Sequence, residues 1–341
     1  MKLIKTEEAV GHVLCHDITE IVPGVVKDAR FRKGHVVAPE DIPVLLKLGK
    51  ENLYVWEKTA GMLHEDEAAE ILCKLCQNEH MYRKGPKEGK IDLYADCDGL
   101  LKVDVDRLNA VNMLDDVMIA TRHNNSPVKA GDKLAGTRII PLVIAQETME
   151  EIQQTAGDEP LLTILPYRSM NVGVVTTGSE VYHGRIADRF TPVVVNKLAL
   201  YGLKMTAHRL CDDDKLLIQK AIEELLAQGV DMVLCTGGMS VDPDDRTPAA
   251  IKATGAEIVT YGAPVLPGAM FMLAYCADGR PIMGLPGCVM YAASTVFDLI
   301  LPRIASGDRI SRAEIKALGN GGLCLECEEC RYPNCSFGKG N

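Results

Sequence analysis

Thr236-Gly237-Gly238-Met239-Ser240, leading to Asp245-Arg246-Thr247-Pro248, is the stretch on which the reading of this 341-residue chain turns. It follows the apolar run Asp231–Cys235, whose composition predicts a buried strand. A glycine pair at a strand end lets backbone N–H groups approach an anion with no side chain in the way. A carboxylate a few residues later can hold Mg²⁺ against the same phosphate. Thr247 is placed to cap a helix whose first residue is Pro248, and such an N-terminus adds partial positive charge where a phosphate would lie. A plain tight turn between strand and helix explains the glycines equally well. The case for a ligand rests on repetition, because Thr177-Gly178-Ser179, Pro267-Gly268 and Gly284-Leu285-Pro286-Gly287 are three more glycine loops beside apolar runs.

Outward from that stretch the chain alternates between strand and helix. Val172–Thr176 and Leu203–Leu210 read as strands, as do segments near Glu257–Thr260, Ala269–Tyr275 and Pro281–Met283. Thr191–Leu200, Asp214–Gln228, Pro248–Ala253 and Val289–Ile304 read as helices. The alternation predicts an α/β fold, a sheet covered by helices on both faces. Ligands of such sheets bind outside the carboxyl ends of the strands. Asp212-Asp213-Asp214 precedes a predicted helix, so one carboxylate caps it and the others are available to a metal or ligand. Gly184 and Asp188 fall on the loop after the first strand, and Arg185, Arg189 and Arg246 are the nearest cations for an oxyanion.

The organisation predicted for the whole chain has four parts. Residues 1–60 form a small α+β unit, with a turn-rich segment around Pro23-Gly24, a helix Ile42–Leu48 and a strand Leu53–Trp56. Residues 61–145 form a β-rich domain led by one helix over 64–76. Residues 146–310 are the α/β domain, and 311–341 a helix, a Gly-rich linker and a cysteine-rich tail. Cys73 and Cys76 form a C-x-x-C on the 64–76 helix, which reads as packing or as half of a metal site. A net charge of −10 argues against a nucleic-acid surface. No apolar run reaches the ~18 residues of a membrane span, and the start lacks a signal-peptide core, so the expected location is the cytoplasm.

Four of the twelve cysteines fall after residue 323, as Cys324-x2-Cys327-x2-Cys330-x4-Cys335. Thiolates at two-residue intervals can wrap one centre, and the first three resemble the run that holds a [4Fe–4S] cluster. Tetrahedral Zn²⁺ is the rival, and a free redox tail the third reading. Gly319-Asn320-Gly321-Gly322 predicts a flexible attachment.

Taken together, Val174-Val175-Thr176-Thr177-Gly178-Ser179-Glu180, Cys235 to Ser240 with Asp245 to Pro248, Pro267-Gly268 and Gly284 to Gly287 resemble the molybdopterin-binding domain. That family includes the molybdopterin molybdenumtransferases, the adenylyltransferases and the gephyrin domains. The resemblance covers about residues 170–305. It implies a three-layer αβα domain, here joined to smaller α+β and β-rich N-terminal domains. It implies that Thr177, Gly178, Ser179, Thr236, Gly237, Gly238, Ser240, Pro267, Gly268, Pro286 and Gly287 line a pterin-phosphate pocket, with Gly184 and Asp188 on the loop that closes over it. Asp245 and Asp213 match the family's functional aspartates, Asp245 as the Mg²⁺ ligand. Thr-Gly-Gly-x-Ser resembles the molybdenumtransferase form and Asp-x-Thr-Pro the adenylyltransferase form. The chain departs from the transferases at Leu266, Ala269 and Met270, where they carry lysines, and at Cys288-Val289, where they carry Asn-Pro. The resemblance therefore implies molybdenum cofactor biosynthesis, with molybdopterin, Mg²⁺ and molybdate as ligands, and a homo-oligomer. A carrier that delivers cofactor to an apo-molybdoenzyme is the alternative. A nucleotide pyrophosphatase like those of the competence-damage-inducible family is the third reading.

Overall fold

The computed structural model of the protein describes residues 1–22, 26–55, 60–240, 242–243 and 245–340. The predicted turn at Pro23-Gly24 and the strand position Trp56 lie outside the described residues. The chain divides into two units. The first comprises Met1–Asp96, Val103–Arg122 and Ala130–Thr163; the second comprises Cys97–Lys102, His123–Lys129 and everything from Ile164 onward.

In the first unit, the strand Lys2–Lys5 pairs antiparallel with Asn52–Val55. Ile4, Leu14, Ile18, Leu45, Leu53 and Val55 form its core around the helix Asp41–Lys47. The helix Glu65–Cys76 buries Ala68, Ala69, Leu72, Cys73 and Cys76, the i, i+3, i+4 stripe expected of an amphipathic helix. Cys73 and Cys76 are fully buried, and burial raises both thiol pKa values, Cys76 to about 12. That favours packing over metal. The helix packs on an antiparallel sheet of order Met81–Lys87, Lys90–Ala95, Lys133–Ile139, Val117–Thr121. The domain read as β-rich with a single leading helix holds a second helix, Val105–Asn112, which Asp104 caps by accepting from the Arg107 N–H at 3.1 Å.

The second unit is built on a six-stranded sheet. Its strands are β1 (Asn171–Thr177), β2 (Lys204–Cys211), β3 (Met232–Thr236), β4 (Glu257–Tyr261), β5 (Met272–Tyr275) and β6 (Pro281–Leu285), in spatial order 2-1-3-6-5-4. Strands β2, β1, β3 and β6 are mutually parallel, and β5 runs antiparallel to both neighbours. Both faces are buried, which is why β1 and β3 read as unbroken apolar runs. Val172, Val174, Met232 and Leu234 face one core with Val194 and Leu198 of α1 (Phe190–Ala199) and with α4 (Val296–Ala305). Val175, Val233 and Cys235 face the other, against Ile218 and Leu225 of α2 (Lys215–Ala227) and Ala250 and Ile251 of α3 (Thr247–Ala253). The result is the three-layer αβα arrangement.

The helix expected over Val289–Ile304 is two elements. A 3₁₀ turn spans Gly287–Met290, and α4 begins only at Val296. The break is a capping box: Thr295 accepts from the Phe297 N–H at 3.2 Å, and Asp298 accepts from the Thr295 N–H at 2.7 Å. After α4 the chain does not swing free. The helix Arg312–Ala317 has its own capping box, Ser311 with Glu314. Leu323 then bridges to Leu266. The Gly-rich segment is hydrogen-bonded to its surroundings: the Leu266 N–H donates to the Gly322 carbonyl and the Gly338 N–H to the Gly321 carbonyl, both at 2.9 Å. Among the described residues no helix is long and apolar enough to cross a membrane.

Candidate ligand site at the strand ends

The parallel strands finish in register. Thr176 of β1 lies beside Thr236 of β3, Thr236 beside Leu285 of β6, and Thr177 beside Cys211 of β2. The loops beginning at Gly178, Asp212, Gly237 and Pro286 therefore leave from one edge of the sheet. The fourth glycine loop joins them by antiparallel pairing. Pro267-Gly268 leads into β5, whose first residue Met272 lies opposite Gly284 near the end of β6.

The glycine pair is demanded by packing before any ligand arrives. Gly237 and Gly238 have φ of +90° and +57°, the left-handed region that favours glycine. A methyl group on Gly237 would strike the Thr177 carbonyl oxygen, and one on Gly238 would press on the Thr247 hydroxyl. Thr247, fully buried, donates to the Gly237 carbonyl at 2.9 Å and lies 3.5 Å from the Thr177 hydroxyl. Its backbone N–H donates to the Gly238 carbonyl at 3.2 Å. The loop is thus tied to the start of α3. The expected cap is corrected: Thr247 is the first helical residue, with Arg246 before it and no side-chain cap, because the Thr247 hydroxyl is spent on the Gly237 carbonyl; Pro248 follows within the first turn. The neighbouring Thr236 hydroxyl is buried with no hydrogen-bond partner among the described residues.

Asp214 caps α2, accepting from the Leu216 and Leu217 N–H groups at 2.9 and 3.0 Å. The other two aspartates turn to the Gly178 loop. Asp213 accepts from the Ser179 N–H at 2.8 Å, and Asp212 accepts from the Ser179 hydroxyl. That hydrogen bond, with the Asp213 N–H and nearby His183, holds the Asp212 pKa below its usual range. Gly184, exposed at φ +67°, closes the single turn Ser179–Tyr182.

Asp188 is engaged by the protein itself. It accepts from the Phe190 and Thr191 N–H groups at 2.9 and 3.0 Å and from the Thr191 hydroxyl at 2.5 Å. Burial alone would raise its pKa, but the Thr191 and Phe190 donors and the His208 charge lower it. The Thr176 hydroxyl completes the cluster, 3.0 Å from Thr191 and 2.9 Å from His208 Nε2. His208 escaped the sequence reading. Its only signal is a titratable residue in an otherwise ordinary strand, and only pairing opposite Val174 brings it here.

Asp245 differs. It is half-buried, and no described residue hydrogen-bonds its carboxylate; its charge acts, after burial, to raise the Tyr261 pKa. The Tyr261 hydroxyl lies 3.1 Å from the Met239 carbonyl and 3.3 Å from that of Ser240, bracing the loop. Ser240 is exposed. Arg185, Arg189 and Arg246 are exposed and form no ion pair among the described residues. At the far side, Gly268 (φ +125°) would collide with Val296 if it carried a methyl, Pro286 is buried, and Gly287 is exposed. Pro267 and Gly268 border a cavity of about 430 Å³ with Cys288, Tyr291 and Cys324.

Residues 173–306 match the family described as "Probable molybdopterin binding domain", and residues 3–57 match a domain of unknown function, DUF8806. A CinA-like protein of Mycobacterium sp. (strain MCS) is 33% identical over 92 residues, 27% of this chain and 22% of that protein. The chain thus spans about a fifth of the length of the curated relatives it matches. The molybdopterin biosynthesis enzyme MoaB from Thermus thermophilus is similar over 40% of this chain and 97% of its own, at 19% identity and TM-score 0.33. A molybdenum cofactor biosynthesis protein from Pyrococcus furiosus aligns over 90% of this chain and 63% of its own, at 13% identity and TM-score 0.26. The αβα layers and the strand-end loops fall in the segment, residues 173–306, that matches the probable molybdopterin-binding family.

Proposed function

We propose that the strand-end loops bind molybdopterin or its adenylylated form, and that the chain works in molybdenum cofactor biosynthesis by inserting molybdate into the dithiolene. The observation that carries this reading is Asp245. It is a carboxylate without a protein donor among the described residues, beside a braced glycine loop and within the family-matched segment. Its free oxygens suit Mg²⁺, a hard cation that takes one or two carboxylates and completes its shell from phosphate and water. Bound there, Mg²⁺ supplies positive charge to the ligand phosphate. Gly237, Gly238 and Ser240 then position the phosphate, Asp213 keeps the Ser179 loop in place, and Arg185, Arg189 and Arg246 offer positive charge to molybdate.

The test is molybdate-dependent release of AMP from adenylylated molybdopterin by the full-length protein. The expected result is turnover that Asp245→Ala abolishes. Tight pterin binding without turnover would instead make the protein a carrier for an apo-molybdoenzyme, a reading favoured by Leu266, Ala269 and Met270 where an oxyanion site would want lysines. The CinA-like relatives motivate a parallel assay with ADP-ribose. Hydrolysis there with no affinity for pterin would replace the proposal by a pyrophosphatase.

A further inference from the structure

Of the four cysteines of the C-terminal tail only Cys324 borders the site above, yet the fold brings all four to one place. Cys324, Cys327, Cys330 and Cys335 all line a single cavity of about 370 Å³, walled on the other side by Pro267 and Tyr291. The loop that bears them is fastened at both ends. Before it, the Cys324 N–H donates to the Leu266 carbonyl at 2.8 Å and the Leu266 N–H to the Gly322 carbonyl at 2.9 Å. Behind it, the Tyr332 hydroxyl donates to the Asp298 carbonyl at 2.8 Å, and Phe337 is 3% exposed in the core. These contacts hold the two ends of the cysteine-bearing loop against the α/β domain. None of the four is in a disulfide.

The spacing of the thiols and the room between them favour a cluster over zinc. C-x2-C-x2-C followed by a fourth cysteine resembles the run that holds a [4Fe–4S] cluster. The cavity of about 370 Å³ that the four cysteines line has space for a cubane core, whereas tetrahedral zinc needs only one ion at about 2.3 Å from each sulfur. The Ser294 hydroxyl, 3.2 Å from Cys330 Sγ, adds a hydrogen bond of the kind that sets a cluster's potential. We propose that Cys324, Cys327, Cys330 and Cys335 ligate a [4Fe–4S] cluster in this cavity, with Ser294 donating to the Cys330 thiolate. The assignment stands whether or not the strand-end loops hold a pterin.

The test uses the full chain purified without oxygen, or reconstituted with iron and sulfide. Four irons and four sulfides per chain are expected, with a broad visible absorption that dithionite bleaches. One zinc and no iron, or four freely titrating thiols and no metal, would overturn the proposal. The double variant Cys327→Ser/Cys330→Ser alters two exposed side chains, so it should keep the melting temperature of the metal-free protein while losing at least four-fifths of the iron. Cys276→Ser, away from the tail, should keep it all. Equal iron loss in both variants, or iron retained in the double variant, would sink the assignment. Ser294→Ala should shift the reduction potential with the iron content unchanged, and an unshifted potential would remove Ser294 from it.

Discussion

Glu65 in the first unit and Asp188 in the second are both carboxylates drawn out of water, and their pKa values move in opposite directions. Glu65 is 7% exposed, faces a cavity of about 330 Å³ with His16, Arg32, Lys33 and Asp66, and receives no hydrogen bond from any described residue. Burial first, then the Asp66 charge, push it up to about 7, against the pull of Lys33 and Arg138. Asp188 carries a burial penalty too, but the Thr191 hydroxyl and two backbone N–H groups outweigh it. Burial fixes the sign only until the donors are counted. Asp245 lacks both deep burial and, among the described residues, hydrogen-bond donors to its carboxylate.

The comparison can be broken most visibly at Glu65. A raised native pKa means the folded state holds the proton more tightly, so its contribution is complete below pH 4.5 and declines as pH rises to about 7. The loss amounts to at most about 3 kcal/mol. Urea unfolding across that range should show it, and Glu65→Gln should flatten the slope; an unchanged slope would refute the account. Asp245→Ala comes next, expected to weaken Mg²⁺-dependent ligand binding by about a hundredfold in calorimetry while leaving the melting temperature in place. A large drop in that temperature would mean the carboxylate is structural after all.

Asp188→Ala should do the reverse, costing about 1–2 kcal/mol of stability through the lost cap. The Asp188 contribution has the opposite pH sign to that of Glu65: it is present above the ordinary aspartate range and lost as pH falls through the lowered native pKa. Acid unfolding of wild type against Asp188→Asn measures it. Arg185→Ala should change least, weakening anion binding a few-fold and stability by less than about half a kcal/mol, as for an unpaired surface residue.

The strands that carry the site were legible because both their faces are buried, which leaves their centres, Val172–Val175 and Met232–Cys235, without a polar side chain to confuse the pattern. The cap at Asp214 was legible because it is local, whereas Thr247 joined the helix instead of capping it because its hydroxyl reaches back to the Gly237 carbonyl. The helix Val105–Asn112 was missed because it is short and half polar, burying only Leu108 and Val111. The start of α4 was missed because the apolar residues before Thr295 extend the helical pattern through the capping box. The Asp188 cluster needed His208 from a neighbouring strand, which sequence spacing cannot supply.

Order along the chain settled what depends on near neighbours: glycines that permit positive φ, apolar periods, capping carboxylates and the two-residue rhythm of the tail cysteines. Folding settled what depends on distant ones. It decided that Asp188 is saturated while Asp245 is not, that Gly237 is needed by Thr177, and that the tail is anchored beside Pro267. Hydrogen bonds and burial join residues far apart in the chain, so whether a carboxylate is engaged or available is a property of the packed molecule.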